Sequence, residues 1–130
     1  MPIQVGDVYF LDLTPHTSPS QYTMKKPHCV AIVMKPEKLA NESHQTIIFT
    51  PLSSCKPQLW DEGIRKPRVF THVLISPNQY RALTKYTLIK CEQIYTIDRK
   101  FFTNFRFRLN PEDIQKIREK MAYILGFGSM

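Results

Sequence analysis

The sequence predicts a mainly β domain finished by one C-terminal helix, and three observations predict it. Short runs rich in Val, Ile, Phe and Tyr recur between turn residues, prolines punctuate those runs, and the final segment changes to a helical period. A chain of 130 residues suits a single domain spanning 1–130. Such a domain buries roughly two-thirds of its unfolded surface, enough for one core.

Strands are expected from Asp7 to Leu13, Cys29 to Met34, Thr46 to Pro51, Val69 to Ile75, Tyr86 to Lys90 and Gln93 to Ile97. In the first, Val8, Phe10 and Leu13 are expected to face the core, with Asp7, Tyr9 and Asp12 on the other side. Pro15, Pro19, Pro27, Pro36, Pro51, Pro57, Pro67 and Pro77 fall mostly at or beyond these strand ends, where a missing amide hydrogen costs least. The helix has a well-marked start. Asn110 can cap it, Pro111 suits its first turn, Glu112 and Asp113 suit its positive end, and Leu109 can staple onto Ile114. Ile114, Ile117, Met121, Ile124 and Leu125 then share a face, and Gly126 offers a left-handed stop. Shorter helical turns are expected around Glu37 to Asn41 and Asn78 to Leu83.

A net charge of +7 and a pI near 9.5 favour a polyanionic partner, either nucleic acid or an acidic protein. No run approaches the roughly 18 apolar residues of a membrane span, and the first residues lack a basic segment followed by an apolar one. A soluble, cytoplasmic chain is expected. Three cysteines without close spacing signal neither a disulfide framework nor a zinc site. Cys29 and Cys91 sit in apolar runs as core thiols, and Cys55 lies in a polar turn.

Among the histidines, His28 follows Pro27 at the mouth of a strand, His72 lies within one, His16 is in a long loop and His44 reads as a surface residue. Their pKa near neutrality suits proton transfer, but spacing does not pair any two of them. The loop from His16 to Lys26 is polar, basic at its end and longer than a hairpin needs, as functional loops often are. From Arg99 to Arg108 four basic residues interleave with four phenylalanines. Alternation there predicts Phe105 and Phe107 on a core face and Arg106 and Arg108 on the opposite face, open to solvent or to a nucleic acid.

Two distant segments, Gly6-Asp7-Val8-Tyr9-Phe10-Leu11-Asp12-Leu13-Thr14-Pro15 and Cys91-Glu92-Gln93-Ile94-Tyr95-Thr96-Ile97-Asp98, bracket Lys26-Pro27 and Thr50-Pro51-Leu52-Ser53. In this order they resemble the MazF/PemK family of toxins over nearly the whole chain. The resemblance implies an SH3-like β barrel of the MazF/PemK/CcdB type with a C-terminal helix, acting as a homodimer. It implies an endoribonuclease that cuts single-stranded RNA, as an mRNA interferase, with no metal and no cofactor. The 2′-hydroxyl attacks the neighbouring phosphate and leaves 2′,3′-cyclic phosphate and 5′-hydroxyl ends. A cognate acidic antitoxin would block the groove.

By the same resemblance Lys26 stands where the family has arginine, and Ser53 stands where it often has threonine. Lysine keeps the charge and loses the planar fork, while serine keeps the hydroxyl. Lys25 is the alternative to Lys26, Thr50 and Ser54 are alternatives to Ser53, and His28 is the nearest substitute acid or base. Gln21, Tyr22, Gln93, Arg106 and Arg108 are the expected RNA contacts, and Tyr95 stands where an arginine is common. Two other readings stay open: a regulator on the same fold that binds RNA or protein without cutting, and a gyrase-directed toxin of the CcdB type.

Overall fold

The computed structural model describes residues 2–12, 27–34 and 46–127. Expectations placed on Leu13, the loop carrying His16, Gln21, Tyr22, Lys25 and Lys26, the turn at Glu37 to Asn41, and His44 lie outside the described residues. Within them the chain forms β1 (Asp7–Leu11), β2 (His28–Met34), β3 (Thr46–Ser54), β4 (Trp60–Asp61), β5 (Lys66–Pro67), β6 (His72–Ile75), β7 (Thr87–Lys90), β8 (Tyr95–Asp98), β9 (Phe105–Arg108) and α1 (Pro111–Ile124).

The main sheet runs β6-β7-β3-β2-β1-β9, with β8 also paired to β3, while β4 and β5 form a separate hairpin. Every pairing is antiparallel. β3 is the hub. Its residues 46–49 pair with β8 and its residues 52–54 pair with β7, while β2 pairs along its other edge. One long strand thus serves two neighbours in turn, and the sheet curls into a half-barrel. Pro51 sits in the interval between the two partners, opposite Val30 alone, so its missing amide breaks no ladder toward β7 or β8. The expected strand end at Pro51 is therefore a mid-strand position, and β3 continues to Ser54.

Both faces of this sheet are buried. Val8, Ala31, Leu52, Val73, Ile89 and Cys91 form one cluster with Ile117 of α1, and Ile114, Met121 and Ile124 pack against it. Tyr9, Leu11, Val30, Ile32, Ile47 and Phe49 form the second cluster under Phe102. Phe102 meets Tyr9 and Phe49 edge-on, with both ring centroids at 5.6 Å. This second layer overturns the alternation expected for the first strand: Tyr9 and Leu11 are only 3% and 2% exposed, and Asp7 is wholly buried. A one-faced pattern missed it because the covering aromatic comes from a segment about ninety residues away.

A register shift between Val8 and Tyr9 bends β9. Phe107 lies against Tyr80 in the first cluster, whereas Phe105 meets Tyr9 on the other side, so the two phenylalanines do not share a face as simple alternation required. Further boundaries differ from expectation, among them the strand read from Gln93, which begins at Tyr95. The strand read from Val69 begins at His72, behind the β4–β5 hairpin, and the segment from Asn78 to Leu83 forms turns in place of helix.

α1 follows its local signals. The Asn110 side chain accepts from the Asp113 N–H at 2.8 Å, with Pro111 in the first turn. At the other end Gly126 has φ 79°, its N–H donates to Tyr123 O, and the Phe127 N–H donates to Ala122 O, which is a Schellman closure. Leu125, expected on the apolar face, is half exposed. Gly6, with φ 92°, lies so close to Ile114 that a Cβ would collide with it, and its carbonyl accepts from the Leu109 N–H at 2.8 Å. The start of β1 and the start of the helix are thereby locked together. No helix among the described residues is long and apolar enough to cross a membrane.

Candidate nucleic-acid interface

The chemistry expected of Ser53 depends on where β3 points it. Ser53 pairs with Leu88 of β7, which pairs with Leu74 of β6, so these three side chains share one face. Ser54 and Thr50 belong to the opposite face, and Thr50 is fully buried there beside Leu52. Strand alternation therefore separates three hydroxyls that looked interchangeable in sequence. Among the described residues the Ser53 Oγ is buried without a hydrogen-bond partner, as is the Thr50 Oγ1 on the opposite face, although Ser53 as a whole is half-buried. A buried hydroxyl without a partner costs about 1–3 kcal/mol, a deficit that a phosphate oxygen would relieve.

β2 brings the neighbouring groups. His28 pairs with Leu11 of β1, as Val30 pairs with Tyr9, so His28 and Val30 share a face, and Val30 lies opposite Pro51 on the face that Ser53 also occupies. Pro27 precedes His28, so the chain enters this position directly from Lys25 and Lys26, which lie outside the described residues. His28 itself is half-buried and in contact with other groups.

Beyond Ser53 the same face opens into a cavity of about 600 Å³ lined by Cys55, Pro57, Trp60, Arg65, Leu74 and Tyr86. The Cys55 N–H donates to Tyr86 O at 2.9 Å, tying the end of β3 to the approach to β7. Trp60 stands on the β4–β5 hairpin, opposite Pro67, and its indole N–H donates to Glu62 Oε2 at 2.9 Å. The Asp61 carboxylate accepts from the Gly63 N–H at 3.0 Å and closes the turn. Arg65 ends that turn at φ 55°, a left-handed conformation costing a side-chain residue roughly 1–2 kcal/mol relative to glycine. Sequence reasoning missed Trp60, Arg65 and Tyr86. The signal present was the chain's only tryptophan, set immediately before an Asp-Glu-Gly turn.

The other expected contacts are placed as follows. Arg106 is exposed on β9 with its guanidinium over the Phe10 ring at 5.3 Å. Arg108 Nε donates to the buried Asp7 carboxylate at 2.8 Å and Nη1 donates to Gln4 Oε1 at 2.7 Å, so this side chain closes the charge balance at the sheet edge. Gln93 is half-buried in the turn between β7 and β8, its N–H donating to Lys90 O. Tyr95 stacks on Phe49 with centroids at 5.6 Å, an aromatic packing role at a position where arginine was the family expectation.

His72 is buried, and its Nε2 lies 3.2 Å from Glu92 Oε2. Glu92 also accepts from the Thr71 hydroxyl at 2.8 Å. Burial pulls the Glu92 carboxyl upward, but a backbone N–H, Thr71 and His72 outweigh it and hold the carboxyl below its usual range. The thiols are suppressed. Burial raises Cys29 against the opposing charge of Arg106, raises Cys55, and pushes Cys91 up to about 12 with Glu92 adding to the effect. Little thiolate is available at neutral pH, which argues against cysteine nucleophiles. Among the described residues no group of three His, Cys, Asp or Glu side chains is arranged to hold a metal.

A family model described as PemK-like, MazF-like toxin of type II toxin-antitoxin system matches residues 4–125. Solved structures share the fold at low identity. One is an endoribonuclease in complex with its cognate antitoxin from a mycobacterial species, at 18% identity and TM-score 0.63, covering 99% of this chain and 100% of that one. The Mycobacterium tuberculosis toxin MazF-mt6 aligns at 10% identity and TM-score 0.63, over 95% and 99% of the two chains. MazE-MazF from Deinococcus radiodurans aligns at 10% identity and TM-score 0.61, covering 97% of each.

Proposed function

The chain belongs to the family of PemK-like, MazF-like toxins of type II toxin-antitoxin systems, and from that premise we propose that it is a cytoplasmic, metal-independent endoribonuclease acting on single-stranded RNA. The observation that carries this reading is the Ser53 hydroxyl, buried without a hydrogen-bond partner among the described residues and on the same sheet face as His28. Family and fold supply the scaffold, and function belongs to the side chains grafted on it.

In the proposed reaction the substrate's 2′-hydroxyl attacks the adjacent phosphorus. The O2′–P bond forms, the P–O5′ bond breaks, and the phosphate becomes a 2′,3′-cyclic diester. A base, His28 or Lys26 in its neutral form, takes the 2′ proton, and an acid returns one to the departing 5′-oxygen to leave a 5′-hydroxyl. Lys26 balances the charge gathering on the non-bridging oxygens. Ser53 donates to one of those oxygens and orients the phosphate for in-line attack. Lys25 can substitute for Lys26 as the cation. Gln21, Tyr22 and Gln93 would hold flanking nucleotides, Arg106 would meet the strand at the sheet edge, and Arg108 would add its exposed flank there.

The partners follow the same premise: a second copy in a symmetric dimer that completes the RNA channel, and an acidic antitoxin attracted by the +7 net charge. The structural neighbour solved with its cognate antitoxin supports the second. The test is a variant series on cleavage rate and melting temperature. Lys26→Ala is expected to abolish cutting with the fold intact and Lys26→Arg to preserve or raise it. Ser53→Ala should lower turnover on the order of a hundredfold, the scale of a lost oxyanion donor, while the melting temperature holds or rises because a buried hydroxyl without a partner is removed. Unchanged cleavage in Lys26→Ala would remove that residue from the mechanism. A Ser53→Ala protein that melts earlier yet cuts normally would make Ser53 structural.

A further inference from the structure

We infer that the cavity between Trp60, Tyr86 and Arg65 is a base-stacking subsite that receives one nucleotide of the single-stranded RNA beside the scissile phosphate. The inference rests on the ribonuclease reading and names a specificity-determining part of the same face. The cavity adjoins Ser53 through its own strand, since Cys55 lies two residues on, and through Leu74, which shares a cross-strand row with Ser53.

The lining has the chemistry that a splayed base requires. A ring system half in and half out of solvent offers a stacking face at little desolvation cost, and Tyr86 is 54% exposed while Trp60 is half-buried. The Trp60 indole N–H is bound to Glu62, and the Asp61 carboxylate closes the turn that follows its strand. A pre-set aromatic platform loses little freedom when a ligand arrives.

Arg65 supplies the charge and the second line of argument. Its position favours glycine on backbone grounds, yet it carries a long cationic side chain into the lining of the cavity. Strain kept at a surface turn makes sense where the side chain has a task, here a phosphate of the bound strand. Lys56, Lys66 and Arg68 stand on the same hairpin region and outnumber Asp61 and Glu62, so the local field favours a polyanion. An acidic peptide would meet the same field, but it would leave the exposed rings without flat partners. RNA is therefore the favoured occupant.

Because the chain contains one tryptophan, its emission reports on this cavity directly. The probe is a mixed-sequence 2′-fluoro decanucleotide, which lacks the attacking hydroxyl, followed by fluorescence polarisation of the probe and by emission of Trp60. Saturable quenching of Trp60 in step with polarisation is expected. Tyr86→Ala should weaken binding at least about fivefold, the lower end for one stacked base, and Arg65→Gly should weaken it through the lost phosphate contact. Arg65→Gly should also reduce the slope of log affinity against log salt by about 0.7, one phosphate contact on a single strand, while the melting temperature holds or rises. Binding with unchanged Trp60 emission and unaltered variants would overturn the subsite and leave the ribonuclease reading standing. No polarisation change with wild-type protein would overturn both. Quenching by a poly-glutamate peptide and not by the oligonucleotide would also overturn the inference and make the cavity a protein-docking site.

Discussion

At the residue scale, a single strand position decides what Ser53 can do. Its match to a family threonine was legible in Thr50-Pro51-Leu52-Ser53, but the expectation that the strand ends at Pro51 was wrong in a way that matters. Because Pro51 occupies the interval between β7 and β8, the strand runs on, and alternation then turns Ser53 and Ser54 to opposite faces. No local rule reveals that a proline is tolerated mid-strand when the tolerance comes from two strands forty residues later. His72 and Glu92 give a prediction at the same scale. With the Glu92 carboxyl held below the ordinary carboxylate range, its ionised form contributes stability that is fully present above that range and is lost as the pH falls through the lowered value. Glu92→Gln should therefore melt earlier than wild type at pH 7. The difference should narrow steadily in melting curves recorded at successively lower pH, and a gap that does not change with pH would show that the pair acts through packing and not through charge.

At the element scale, the helix was the most legible part of the chain because its signals are local. Asn110, Pro111, the acidic first turn and Gly126 each do what their positions suggest. The tertiary support of that start was not legible. Tyr80 reaches the helix N-terminus from a turn thirty residues earlier, where its hydroxyl donates to the buried Asp113 carboxylate and accepts from the Asn110 N–H at 2.9 Å. Burial, with Asp113 beside it, raises the phenol well above its ordinary range against the Asn110 N–H, so it remains a donor throughout the working pH. Tyr80→Phe should cost about 1–3 kcal/mol, because the ring contact with Phe107 persists while two helix-start groups lose their partner. Urea unfolding at constant m-value would measure it, and cleavage per folded molecule should not change. The β9 bulge teaches the complementary lesson. Alternation in Phe105-Arg106-Phe107-Arg108 is plain in sequence, yet one register shift against β1 sends the two rings to different clusters.

At the scale of the whole molecule, the order of elements identified the fold where composition alone would have stopped at a basic β domain. The half-barrel buries both faces of its sheet, and the second cluster exists because Phe102 folds back over Tyr9 and Phe49. Covering both faces leaves function to the rim, where β2 begins, β3 ends and the β4–β5 hairpin stands. That hairpin was illegible as strand, since two-residue strands carry no periodicity, although its Asp-Glu-Gly turn was visible. The central claim is that this rim cuts RNA by attack of the substrate's own hydroxyl. Its most direct test is to incubate the purified protein with a long mixed-sequence single-stranded RNA in EDTA, then map the new ends and determine their chemistry. Discrete cuts carrying 5′-hydroxyl and 2′,3′-cyclic phosphate ends, absent with Lys26→Ala, are the predicted result; RNA that is bound and left intact, or cut to 5′-phosphate ends, would contradict it.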